Sequence, residues 1–256
     1  MKKETFDSLL KEFSYRYDTR TVFDDFLTMA LASFSHNPVT GKSYDEDLYL
    51  TAIDKYKTDP IRHNFAKTLG ALTLEMEERV YSDTGNDVLG EFYEQNLYRK
   101  GASQYFTPWS ICSFLAKSTV EDTESGSDEK LRILDPCCGS GRMLLATSKE
   151  QGRYREYYGI DIDPVCVKMT AINLFLNGMF HSEVLCANAL IPEDFTTSYR
   201  ISFLPFGVFR IKEKENSRLW HLLKNSWDRQ EKVVRTPAPF EAKDNPEGGV
   251  TQLKFF

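Results

Sequence analysis

The segment Ile133-Leu-Asp-Pro-Cys-Cys-Gly-Ser-Gly-Arg142 sets an acid ahead of two glycines one residue apart. Gly139 and Gly141 let a backbone turn sharply and come close to a ligand. Asp135, closing an apolar run, can receive a hydrogen-bond donor or a cationic amine. A second acid, Asp161, follows Gly141 by 20 residues at the end of Tyr157-Tyr-Gly-Ile-Asp161. That is about the spacing at which an acid on a second strand meets ribose hydroxyls. The pair reads as a nucleoside-binding turn. NAD and FAD also fit that spacing, but two features argue against them. Leu144 stands where the third glycine of G-x-G-x-x-G belongs. Asp135 and Pro136 suit an amino-acid-bearing nucleoside better than a pyrophosphate.

Such a turn needs strands and helices around it. Arg132–Asp135 reads as a buried strand, Met143–Lys149 as a helix, Tyr157–Asp161 as a second strand and Pro164–Leu176 as a second helix, with Pro164 suited to the first turn. Val184–Cys186 reads as a third strand and Ile201–Phe209 as a fourth. The alternation predicts an α/β fold with a parallel sheet and right-handed crossovers, its ligand at the carboxyl ends of the strands. Residues 1–100 predict a helical N-terminal domain. Phe23, Phe26, Leu27, Ala30, Leu31 and Phe34 recur at helical spacing, and further runs cover Asp45–Tyr56, Ile61–Tyr81 and Asp87–Leu97. The polar stretch 121–130 reads as a surface loop. The α/β domain then covers 101–235, and 236–256 reads as a flexible tail.

Composition narrows the class. The chain has 256 residues, 41% hydrophobic and 27% charged, which supports a sizeable core. No apolar run reaches the ~18 residues of a spanning helix, and the N-terminus has no secretory pattern, so the expectation is a cytoplasmic protein without a membrane role. Five cysteines without a C-x-x-C pair read as reduced thiols, and four scattered histidines predict no metal site. The net charge of −6 argues that any DNA contact uses a local patch or a partner chain.

Asp135-Pro-Cys-Cys-Gly-Ser-Gly141 resembles motif I of the S-adenosylmethionine-dependent DNA adenine-N6 methyltransferases, above all the modification subunits of type I restriction–modification systems. Asp87-Val-Leu-Gly-Glu-Phe-Tyr-Glu94 and Gln104-Tyr-Phe-Thr-Pro108 resemble the segment ahead of motif I, including motif X. Gly159-Ile-Asp-Ile-Asp-Pro164 resembles motif II and Ala187-Asn-Ala-Leu190 motif III. The resemblance covers roughly 87–192 and implies a Rossmann-like methyltransferase sheet, DNA as substrate and S-adenosylmethionine as cofactor. It implies that Tyr105 and Thr107 lie at the methionine end, where Thr107 bonds the carboxylate and Tyr105 faces the sulfonium. It places Asp135, Cys137, Gly139 and Gly141 around the amino-acid part. Asp161 goes to the ribose, Ile162 to the adenine face and Asn188 to the adenine edge. Asp163 reads as a cap for the next helix.

The family also carries motif IV, N-P-P-Y/F, at the end of its fourth strand. An Asn or Asp carbonyl and a Pro backbone carbonyl accept the two hydrogens of the adenine amine, and the aromatic ring stacks on the flipped base. Here the corresponding stretch is Phe203-Leu-Pro-Phe206. Pro205 and Phe206 remain as candidate catalytic residues, and the polarising amide is missing. After this stretch little chain remains for further βα units, so the expected sheet is short or completed by another chain. Methyl transfer by this chain alone is therefore in doubt. The alternatives are a non-catalytic cofactor-binding accessory or adaptor protein, and a methyltransferase for a non-DNA amine.

Two further features complete the reading. Residues 200–235 hold nine Lys and Arg against four acids, and 1–100 hold 13 against 18. The basic stretch reads either as a solvated helical face or as a backbone-binding surface for DNA. The last residues, Gln252-Leu-Lys-Phe-Phe256, resemble the Q-L-x-L/F-F peptides that bind the bacterial sliding clamp. That implies Gln252, Leu253, Phe255 and Phe256 as partner contacts.

Overall fold

A computed structural model describes residues 4–37, 40–80, 85–97, 105–119, 132–191 and 193–235, with side chains as far as Trp227. Helices come first: α1 (Phe6–Phe13), α2 (Thr19–Ser33), α3 (Glu46–Asp54), α4 (Asn64–Arg79), α5 (Val88–Asn96) and α6 (Trp109–Ser118). Local chemistry sets their starts. Thr5 and Ser8 form a reciprocal capping box on α1, and the side chains of Asp18 and Asp87 accept amides at the starts of α2 and α5. Then follow β1 (Arg132–Asp135), α7 (Arg142–Gln151), β2 (Glu156–Asp161), α8 (Pro164–Leu176), β3 (His181–Cys186), β4 (Thr197–Phe203), β5 (Phe206–Ile211) and α9 (Arg218–Arg235).

The strands form one sheet in the order β1-β2-β3-β4-β5. β1, β2 and β3 are parallel, with Asp135 opposite Gly159 and Asp161 opposite Cys186. The fold is α/β, as expected, but the sheet is mixed. β4 runs antiparallel to β3, and β5 antiparallel to β4. A parallel return needs a crossover of about a dozen residues or more. Only residues 187–196 separate β3 from β4, so the chain doubles back. The expected single strand Ile201–Phe209 is two, broken at a turn between Phe203 and Phe206. The hairpin docks on the end of α2, where Val208 N–H donates to the Phe34 carbonyl at 3.1 Å.

One apolar core joins the early helices to one face of the sheet, from Phe6, Phe23 and Phe92 through α8 to Tyr157, Val184 and Ile201. Ring contacts bind it, among them Phe6 to Phe26 at 5.3 Å and Phe23 to Phe92 at 5.1 Å. α8 is apolar nearly all round because α2 covers one side and the sheet the other. On the opposite face, Leu219 of α9 packs on Tyr158, Ile160 and Leu185. Beneath α9 lie two buried acids. Glu183 accepts from Ser198, Ser217 and Arg200, and Glu156 from Arg132, Arg218 and Tyr158. No helix among the described residues is long and apolar enough to cross a membrane. Gln252, Leu253, Phe255 and Phe256 lie outside the described residues.

Candidate cofactor site

A cleft of about 490 Å³ opens at the carboxyl ends of β1 and β2. Tyr105, Thr107, Asp135, Cys137, Gly139, Asp161, Ile162 and Asn188 all line it. Gly141 stands behind the lining and starts α7 at φ +83°, where a Cβ would sit 2.9 Å from Thr170. Gly139 has φ +55°, and a Cβ there would lie 2.8 Å from the Phe106 ring. Both glycines are thus required by shape.

The turn is stitched to its neighbours. Cys138 N–H donates to the Ile160 carbonyl at 2.8 Å, and Gly139 N–H to Asp161 Oδ2 at 2.9 Å. Thr170 of α8 donates to the Gly139 carbonyl at 2.8 Å. The other Asp161 oxygen accepts from Asp163 N–H, and Asp163 caps α8 through Val165 N–H. Asp135 accepts from Cys137 N–H at 3.1 Å. Burial holds both Asp135 and Asp161 above the usual carboxylate range. Backbone donors oppose the shift at each, and the charge of Asp161 adds to it at Asp135. Asn188, in the cleft lining, accepts at Oδ1 from Leu190 N–H, and its amide nitrogen is a donor.

A polar network runs from the cleft lining at Ser140 and Arg142 into the interior, and its contacts are not anticipated from the sequence. Asp87 is 2% exposed and accepts from Gly90 N–H, Ser140, Arg142 and Asn173. Arg142 also bonds Glu94 and the Thr107 carbonyl. Two sequence signals point to it. Arg142 is a cation in the first turn of a helix, where the dipole disfavours it. Asn173 is a polar residue within an apolar helix. Each demands a buried partner.

The model of the N-6 DNA Methylase family matches residues 84–238, more than half of the chain. The chain belongs to that family. It is 30% identical over 104 residues to the type I restriction enzyme MjaIX methylase subunit of Methanocaldococcus jannaschii, covering 36% of this chain and 17% of that protein. It is 28% identical over 89 residues to the type II methyltransferase M.VspI of a Vibrio species, covering 34% and 21%. It is 29% identical over 133 residues to a release factor glutamine methyltransferase of Thermodesulfovibrio yellowstonii, covering 52% and 46%. The matched segments thus span less than half the length of each of these relatives. The type I restriction-modification methyltransferase subunit of Streptococcus thermophilus aligns in structure with a TM-score of 0.34 and 14% identity, over 70% of this chain and 56% of that one.

In this N-6 DNA methylase family member, Pro205 and Phe206 are not brought to the cleft. Ser202 pairs with His181, the first residue of β3, whereas the cleft lies beyond Cys186, the last. The expectation of a parallel fourth strand fails, and with it the placement of these two residues. The hairpin turn stands about 17 Å away, the length of a five-residue step along a strand. There Phe206 packs on Phe175 and Phe180, and Phe203 and Leu204 border a separate hollow of about 580 Å³ with Arg153, Tyr154 and His181.

Within the basic stretch, four of the described cations form ion pairs. Arg200 bonds Glu183, Arg218 bonds Glu156, and Lys214 and Lys224 reach Glu193 while lying over the Trp220 ring. All five cysteines are free thiols. Among the described residues no cluster of three or more His, Cys, Asp or Glu is placed to hold a metal.

Proposed function

We propose that this chain binds S-adenosylmethionine in the cleft and serves N6-adenine methylation of DNA as its methyl-donor half. The observation that carries the reading is the convergence of Asp135, Asp161 and the Gly139 backbone on one open cleft of about 490 Å³. That volume falls in the range of small-molecule cofactor sites. Two desolvated carboxylates repel a pyrophosphate and suit a cationic nucleoside.

Each residue then has a task. Asp135 receives the ammonium group, and Asp161 receives ribose hydroxyls. Ile162 lies against the adenine face, and the Asn188 amide reaches its edge. Tyr105 faces the sulfonium and Thr107 holds the carboxylate. When bound, the cofactor supplies an electrophilic methyl group on sulfur. The group that holds the adenine amine comes from another segment or a partner chain, because Phe203–Phe206 stands at the far end of β3.

That same placement favours a second reading, a cofactor-binding accessory or adaptor protein without catalysis of its own. Calorimetric titration with S-adenosylmethionine tests the first claim, and the absence of heat at millimolar ligand ends it. Transfer of labelled methyl groups to adenine in duplex DNA, with and without candidate partner chains, separates the two readings. Incorporation that needs a partner chain supports the donor half, and no incorporation with any partner supports the adaptor.

A further inference from the structure

Arg142 directly follows the second glycine of the cofactor turn and opens α7. Its side chain is 9% exposed, and it works against the helix dipole, so its position needs a cause. The cause is two separate segments, α5 with its cap and the stretch around Thr107. Nε donates to Asp87 at 2.8 Å, Nη2 to Glu94 at 3.0 Å and Nη1 to the Thr107 carbonyl at 3.1 Å. The guanidinium also lies 5.8 Å from the centre of the Phe106 ring, the ring that leaves no room for a Cβ on Gly139. Asp87 is itself fixed by Ser140 and Asn173. One side chain thus ties the 105–107 wall of the cleft to the Gly139–Gly141 turn.

We propose that Arg142 is a positioning residue for the amino-acid end of the bound ligand. It forms part of the cleft lining and acts by holding Thr107 and Phe106 over the turn. The inference rests on the reading of the cleft as an S-adenosylmethionine site. Its consequence is selective, because the wall it holds faces the amino-acid end and not the adenine end.

The test is calorimetric titration of the full chain with two ligands. S-adenosylhomocysteine carries the amino-acid end, and 5′-methylthioadenosine shares the adenine and ribose but lacks it. Arg142→Gln should lose about tenfold or more in affinity for S-adenosylhomocysteine and stay within about twofold for 5′-methylthioadenosine. Arg142→Lys keeps the buried charge but not the fork, and should show the same selectivity at smaller size. Glu94→Gln, at a part-exposed carboxylate, gives a third variant if both others fail to fold. Equal loss of both ligands, or no loss of either, overturns the proposal. A parent chain that binds neither ligand sinks the cofactor reading and the inference with it, a result distinct from a parent that binds and variants that do not discriminate.

Discussion

Asp161 Oδ2 accepts the backbone N–H of Gly139 at 2.9 Å, so the acid that closes β2 also braces the turn after β1. Asp135 ends the neighbouring strand, and burial raises the pKa of both acids. A raised folded-state value means that the ionised acids cost stability above it, and that this cost is relieved as pH falls through it. An ammonium ligand needs Asp135 ionised. Its affinity should therefore hold steady from neutral pH downward and then fall, beginning above the ordinary Asp range, by up to about tenfold per pH unit. Binding in that range should release protons to the buffer. Titration in buffers of different ionisation heat measures both effects, and Asp135→Asn should flatten the profile. A profile that is flat in the unaltered chain contradicts the assignment of Asp135.

Gly139→Ala should be costly for two separable reasons. The residue sits at φ +55°, which costs an L-residue about 1–2 kcal/mol, and the new methyl meets Phe106 at 2.8 Å. Thermal unfolding and ligand affinity should both fall. Adding Phe106→Ala to Gly139→Ala should restore part of the loss, since it removes the clash and leaves the strain. No recovery in the double variant would mean that Phe106 does not set the shape of this turn.

The parts of this fold legible in the sequence are those set by neighbours along the chain. α8 runs from Pro164 to Leu176 as the spacing predicts, because Asp163 caps it and Pro164 fits its first turn. The cleft is legible because a ligand turn needs glycine at fixed offsets from a strand, and eight of its nine predicted residues line one cavity. The direction of β4 is not legible. Ile201–Phe209 reads as one apolar run although Pro205 and Gly207 mark a turn within it, and the hairpin's docking on α2 through Val208 and Phe34 joins distant parts of the chain. The same holds for Asp87, whose role appears only when Ser140, Arg142 and Asn173 fold onto it. The ion pairs of the basic stretch are not legible for a related reason, since Glu156, Glu183 and Glu193, which pair with Arg218, Arg200 and Lys214, lie upstream.

Cys137 offers a direct probe of the cleft. It is exposed and lines the cavity, whereas Cys112, Cys138, Cys166 and Cys186 are buried. Burial pushes Cys112 and Cys186 up to about 11 and moves Cys138 and Cys166 upward as well, so their thiolates are scarce at pH 8. A thiol reagent should label one cysteine per folded chain and five in denaturant, and a Cys137→Ser chain should show none while folded. Saturating S-adenosylhomocysteine should slow the single reaction. Labelling at an unchanged rate with ligand bound would place the ligand elsewhere.

Restoring the family's amine-holding letters does not restore their geometry. Phe203→Asn with Leu204→Pro writes N-P-P-F into the chain at the position where the family pattern ends. In this sheet that position is the β4–β5 turn, just past the pairing of Ser202 with His181 at the start of β3, and the cleft lies past the other end of β3. An amide at the turn cannot reach an adenine placed beside Asp135 without unpairing the hairpin from β3. The double variant should therefore bind cofactor as the parent does and incorporate no more methyl label into duplex DNA. It should lose some stability, since Phe203 packs on Phe180 and Phe206, but it should stay folded because Leu204 is 84% exposed and Phe203 lies outside the main core. Methyl transfer gained by this pair alone would show that β4 can lie beside β1 with its end at the cleft, and would overturn the antiparallel arrangement on which the donor-half reading depends.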